Sequence, residues 1–156
     1  MGIGLVVIGI AVFTVLSSTK GAHLELKGQV IKARTGALDD AHSIAILDFR
    51  VNNPSDIPFV VRQVWVTVEK ADGEKLRGDM VSKLDLSQVF QYNKFLGVQY
   101  NDALSIKDEV KPHGQIDRMV AASFPLSQAD LEKAKTIDLW VQDMDGIEFD
   151  TVYKMK

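Results

Sequence analysis

From residue 24 onward, apolar and polar side chains alternate with a period of two over several short runs, the signature of half-buried strands. Ser43–Val51 (SIAILDFRV) places Ala45, Leu47, Phe49 and Val51 on one face. Phe59–Lys70 (FVVRQVWVTVEK) is the clearest run. It is read with Val60, Val64, Val66 and Val68 on one face and Gln63, Trp65, Thr67 and Glu69 on the other. Leu24–Ala33, Ile116–Phe124, Ile137–Asp143 and Ile147–Tyr153 complete the longer strands, with a short return strand at Glu74–Arg77. Asp72-Gly73 and Asp145-Gly146 are hairpin turns, because Gly and Asp tolerate the positive φ such turns need. Asn52-Asn53-Pro54 stops the second strand, since proline donates nothing to a ladder.

Two stretches break the strand period. Ser127–Lys135 reads as a helix with Ser127 as N-cap, Asp130 three residues on, and Leu126 stapling against Leu131. About Asp85–Asn93, Leu86, Val89 and Phe90 recur at helical spacing. Many short strands, two hairpins and two short helices predict a mainly β protein, an immunoglobulin-like antiparallel β-sandwich.

The amino terminus follows neither period. Gly2–Leu16 (GIGLVVIGIAVFTVL) has Thr14 as its one polar side chain, Ser17 to Thr19 extend it, and Lys20 ends it. A helix over 2–19 is roughly 27 Å long, close to the ~30 Å hydrocarbon core of a bilayer. A cleaved signal peptide also fits the length, but the run lacks the basic leader such peptides carry. The expected organisation is therefore a transmembrane anchor or signal segment over 1–19, then one domain over 20–156. Lys20, Lys27, Lys32 and Arg34 follow the run and by the positive-inside tendency favour a cytoplasmic domain. Folded domains also translocate despite such charge, and we expect an extracytoplasmic, periplasmic domain on a bacterial membrane.

The run Phe49-Arg50-Val51-Asn52-Asn53-Pro54-Ser55-Asp56-Ile57-Pro58-Phe59 leads into an alternating strand, and Val110-Lys111-Pro112-His113-Gly114 precedes another. These runs resemble the strand, Asn-Pro, turn, strand and the Pro-Gly, strand patterns of late-embryogenesis-abundant type 2 (water-stress) domains. Immunoglobulin-like modules of similar kind sit behind bacterial membrane anchors. The resemblance implies a sandwich with no catalytic residues to carry over. The departure from it is Asp79–Ser105, an insertion those modules usually lack.

Composition narrows the chemistry. Lys and Arg number 18 against 21 Asp and Glu, net −3, with signs mixed along the chain; no basic stripe exists to neutralise nucleic-acid phosphates. The absence of cysteine removes thiolate nucleophiles, thiolate metal sites and a cysteine-linked lipid anchor. No Gly-x-Ser-x-Gly elbow or phosphate-cradling loop occurs, so no catalytic residue, metal ligand or cofactor is assigned. Asp39, Asp40 and His42 are read as a solvated loop, and Asp143–Asp150 as a hairpin with solvent-facing acids.

What remains are surfaces. Trp65 and Trp140 fall on the polar-parity face of their strands, and tryptophan is enriched at binding hot spots. The insertion 79–105 is helical and carries Phe90, Tyr92, Phe95 and Tyr100, four of the chain's twelve aromatics, in a connection long enough to suggest a role. With Val89 and Phe90 docked on the sandwich, Tyr92, Phe95 and Tyr100 form an aromatic surface. The expected function is a non-enzymatic membrane-anchored interaction or assembly module with a protein partner. The alternative is a periplasmic module that takes a small apolar or lipidic ligand between the sheets or under the insertion.

Overall fold

The computed structural model describes residues 26–156. The expected anchor over 2–19, His23, and the start of the first strand at Leu24 lie outside them. Nine strands are described in these residues: β1 (Lys27–Ala37), β2 (Ser43–Asn52), β3 (Phe59–Glu69), β4 (Lys75–Arg77), β5 (Asp79–Met80), β6 (Glu109–Val110), β7 (Gln115–Phe124), β8 (Thr136–Asp143) and β9 (Glu148–Lys154). Two short helices, α1 (Lys83–Tyr92) and α2 (Gln128–Glu132), and a 3-10 turn at Lys94–Leu96 complete it.

The strands form two sheets, ordered β1-β2-β7-β5 and β4-β3-β8-β9, with β6 pairing the start of β3. All strand pairs are antiparallel. Numbered along the chain as A, B, C, C′, D, E, F, G, with β6 left out, these are the A-B-E-D and C′-C-F-G sheets of immunoglobulin-type sandwiches. Gly73 and Gly146 adopt φ of +90° and +88° in the two hairpin turns, the conformation the Asp-Gly pairs predict.

Alternation holds over most of the chain. Ala45, Leu47, Phe49 and Val51 of β2, with Val120, Ala122 and Phe124 of β7 beside them, face Ile137, Leu139 and Val141 of β8 in one buried cluster between the sheets. In β3 it fails at one point. The register with β8 shifts between Val61 and Gln63. Val66 and Val68 point inward as expected, but before the bulge Phe59 and Val61 are the buried pair and Val60 is not. One extra residue inverts the parity of everything before it.

The segment expected as the insertion opens with a strand. Asp79–Met80 is a strand, β5, paired with β7, so the inserted chain runs from residue 81 to 114. Helix α1 begins two residues earlier than expected, because Ser82 accepts a hydrogen bond from the Asp85 N–H and caps it. Ser127 caps α2 in the same way through Asp130.

β2 is buried on both faces. Its outward side chains Ile44 and Ile46 pack with Met119 and Ala121 of β7 under Leu86 of α1, Leu96 and Ala103, in a second cluster. The insertion thus adds a third layer over the first sheet. It then crosses to the second sheet: Met119 N–H donates to Asp102 O (2.9 Å), Leu104 N–H to Met119 O (2.8 Å), and Lys107 N–H to Val61 O (2.8 Å). The two motif runs meet at the end where β1 begins. There Asn53 N–H donates to Gly114 O (2.9 Å), and its amide donates to Ile57 O (2.7 Å) and Val110 O (3.0 Å).

Candidate functional site: an aromatic groove on the insertion

One buried ion pair holds the insertion to the first sheet. Arg34 of β1 and Asp48 of β2 are both buried, with Nη2 donating to Oδ2 at 2.9 Å. Arg34 Nη1 donates to the carbonyl oxygens of Leu96 (2.8 Å) and Val98 (2.7 Å). Asn101 donates to the other Asp48 oxygen at 2.9 Å. The guanidinium lies 5.1 Å from the ring centres of both Phe90 and Tyr100, and Lys32 Nζ lies 4.7 Å from Tyr100. A buried charge is tolerated only when paired and hydrogen-bonded. Here the bonds to Leu96, Val98 and Asn101 tie the segment after α1 to the sheet beneath it.

With the inner side fixed, the outer side is left open. Val89 and Phe90 pack against the second cluster. Tyr92 and Phe95 stand 83% and 103% exposed, accompanied by exposed Leu84, Val98 and Tyr100. A groove of about 970 Å³ runs between the end of β1, α1 and the 3-10 turn; Leu38, Val89, Tyr92 and Phe95 form its apolar wall, and Asp85 and Gln128 its polar one. Scattered exposed apolar residues need no explanation, but a contiguous group held on a rigid support marks an interaction site.

The six residues singled out by sequence therefore fall into two groups. Tyr92 and Phe95 line the groove, whereas Tyr100 lies outside it beside Arg34 and Lys32, and Phe90 is half-buried against the second cluster. Trp65 and Trp140 lie elsewhere, on the outward face of the second sheet. They are directly opposite in register, stacked with ring centres 4.2 Å apart and planes within 3°. Arg77 of β4 caps the other face of Trp65 at 4.0 Å. The pair is half-buried by this mutual stacking and by Arg77.

Sequence reasoning missed Arg34 and Asp48. An arginine at an inner position of one strand and an aspartate amid the apolar run of the next were the available signals. It also missed Leu38, whose place in the groove depends on the hairpin joining β1 to β2.

The polar candidates are occupied with local work. Asp39 Oδ1 accepts from the N–H groups of Ala41 and His42, both at 2.7 Å, and its carboxylate meets His42 Nδ1 at 2.9 Å. The His42 hydrogen bond holds the Asp39 carboxyl below the usual carboxylate range. Asp143 is buried, not solvent-facing as the sequence suggests. It accepts from the Val60 N–H (2.7 Å) and the Asp145 N–H (2.6 Å), closing the bulge and the hairpin. His113 pairs with Asp56 at 2.7 Å on the surface. Among the described residues no three His, Asp or Glu side chains converge to hold a metal ion.

No protein-family model matches the chain, and no curated protein matches it. Solved structures do. A candidate lipoprotein of Bacillus subtilis, YcdA, superposes with a TM-score of 0.51 at 8% identity, over 83% of this chain and 36% of that one. This chain thus spans about a third of that protein, and at such identity the likeness concerns the fold alone. A β-sandwich protein of Clostridium difficile (TM-score 0.39, 13% identity, 86% of this chain and 82% of that one) superposes more loosely. So does the archaellum periplasmic stator protein FlaG of Sulfolobus acidocaldarius (0.36, 12%, 83% and 100%).

Proposed function

We propose that this protein is a non-enzymatic interaction module, tethered to a membrane through residues 2–19, whose domain lies on the extracytoplasmic side and docks a protein partner in the aromatic groove. The carrying observation is the clamped insertion: Arg34 and Asp48 fix its inner side, which leaves Tyr92 and Phe95 turned to solvent. Aromatic side chains have only two side-chain torsions to order on binding, and they are enriched at protein interfaces. The tether rests on the apolar run 2–19. Among the described residues no helix is long and apolar enough to cross a membrane. The kinship with water-stress domains belongs to the same proposal and rests on the Asn53-Pro54 and Pro112-Gly114 runs.

The rival reading gives an apolar ligand two places, between the sheets or under the insertion, and the first meets a steric obstacle. The space there, lined by Phe49, Phe59, Val141 and Phe149, is about 10 Å³. That is barely the room of one water molecule, roughly 10–15 Å³ on this measure.

The test is affinity purification of the full-length chain from solubilised membranes, wild type beside Tyr92→Ser and Phe95→Ser. Both sites are exposed, so each change should alter folding stability by less than about 0.5 kcal/mol. The expected result is a companion protein recovered with the wild type and lost with either variant. Recovery of the chain alone, or a companion indifferent to both changes, would discard the reading.

A further inference from the structure

The insertion covers the outer face of the first sheet, where α1 packs through Leu86, whereas α2 buries Leu131 in the core between the sheets. The outer face of the second sheet carries no such layer. At its centre stands the column Arg77, Trp65, Trp140, with exposed Val152 on β9 beyond it. Its exposed charges are basic toward one corner and acidic toward the opposite one; exposed Lys154 of β9 and half-buried Glu69 and Asp138 share the face. Lys75 and Arg77 project from β4 at one corner, and Glu148 and Asp150 from β9 at the opposite one; all four are exposed. Register fixes this layout: Trp140 pairs with Asp150 and Gln142 with Glu148, whereas Arg77 and Lys75 pair with Thr67 and Glu69.

We propose that this face binds a second copy of the same chain, forming a two-fold symmetric dimer centred on the tryptophan pair. A face that is basic at one corner, acidic at the other and aromatic between them is complementary to itself. A two-fold axis through the tryptophans, lying across the charge diagonal, brings Lys75 and Arg77 of one copy over Glu148 and Asp150 of the other, twice. Isologous contacts of this kind are the commonest in soluble oligomers. Such an axis crosses the two sheets steeply, and orthogonal crossing is one of the two ways sheets pack face to face. Four strands about 4.8 Å apart and about seven residues long give on the order of 450 Å² per copy. That is the low end of specific interfaces, so the dimer is weak, with a dissociation constant on the order of 10 μM or above. This face lies on the opposite side of the sandwich from the groove, so the proposal stands whether or not the groove has a partner.

Sedimentation velocity of the full-length chain in detergent, over a concentration series to about 1 mM, tests it. The wild type is expected to shift from monomer to dimer. Arg77→Glu and Asp150→Arg should each weaken association at least tenfold, with unchanged far-ultraviolet dichroism. The double variant, which exchanges the two charges, should restore most of it. A monomer throughout the series overturns the proposal. So does a dimer indifferent to the charge changes, the outcome expected if the apolar run 2–19 drives association. Failure of the double variant to recover association also counts against it.

Discussion

Arg34 shows how much one side chain decides here. Its pairing with Asp48 replaces water for both charges and joins β1, β2 and the insertion. Removing one member leaves the other buried and unpaired, which costs about 3–5 kcal/mol, more than replacing both with apolar groups. Asp48→Ala is expected to lower stability by that amount in urea unfolding, and Arg34→Met with Asp48→Leu to recover most of it. A loss under about 1 kcal/mol would mean that the pair is not sequestered. The half-exposed pair Arg50–Asp117 behaves differently. The Arg50 hydrogen bond holds the Asp117 carboxyl below its ordinary value, outweighing the opposite effect of desolvation. A carboxyl depressed in the folded state adds stability above its unfolded value of about 3.9, and loses it as pH falls through the lower, folded value. Asp39 and Asp72 are depressed as well. Thermal stability should therefore fall as pH drops below about 4, and Asp117→Asn should make that fall shallower. An identical slope in the variant would remove Asp117 from the account.

Among the elements, α1 rests on few buried side chains. It spans ten residues, its one buried side chain is Leu86, and its start depends on the Ser82 hydroxyl. Short helices are marginal without packing, so the cap matters. Ser82→Ala is expected to cost about 1 kcal/mol and to raise amide exchange in α1 and the 3-10 turn before the strands respond. Uniform exchange across the domain would show that α1 does not open separately. The Ser-x-x-Asp start of α1 repeats that of α2 and was readable in the sequence. The β3 bulge left no comparable mark. Phe59, Val60 and Val61 are all apolar, so pattern cannot tell which of them turns inward.

For the whole molecule, the insertion is both cover and candidate docking surface. Replacing residues 82–101 with a short glycine-rich linker would uncover Ile44, Ile46, Met119 and Ala121, four apolar side chains on one sheet face. The shortened chain should bind hydrophobic dyes and self-associate, because contiguous apolar patches of this kind are an aggregation liability. A well-behaved, dye-silent variant would show that the layer is dispensable for folding.

What the chain alone determined is local and periodic. Alternating side chains, two Asp-Gly turns and serine caps need only neighbouring residues, so β2, β3, β7, β8, β9 and α2 were legible, and so was the aromatic character of the insertion. The tertiary structure decided which faces meet. It buried β2 on both sides, placed Tyr92 and Phe95 outward and Phe90 beneath them, stacked Trp65 on Trp140, and joined Arg34 to Asp48. Those outcomes depend on strand register and on where a long connection lands. Both are set by the free energy of burying the whole chain at once, and no window of the sequence contains it.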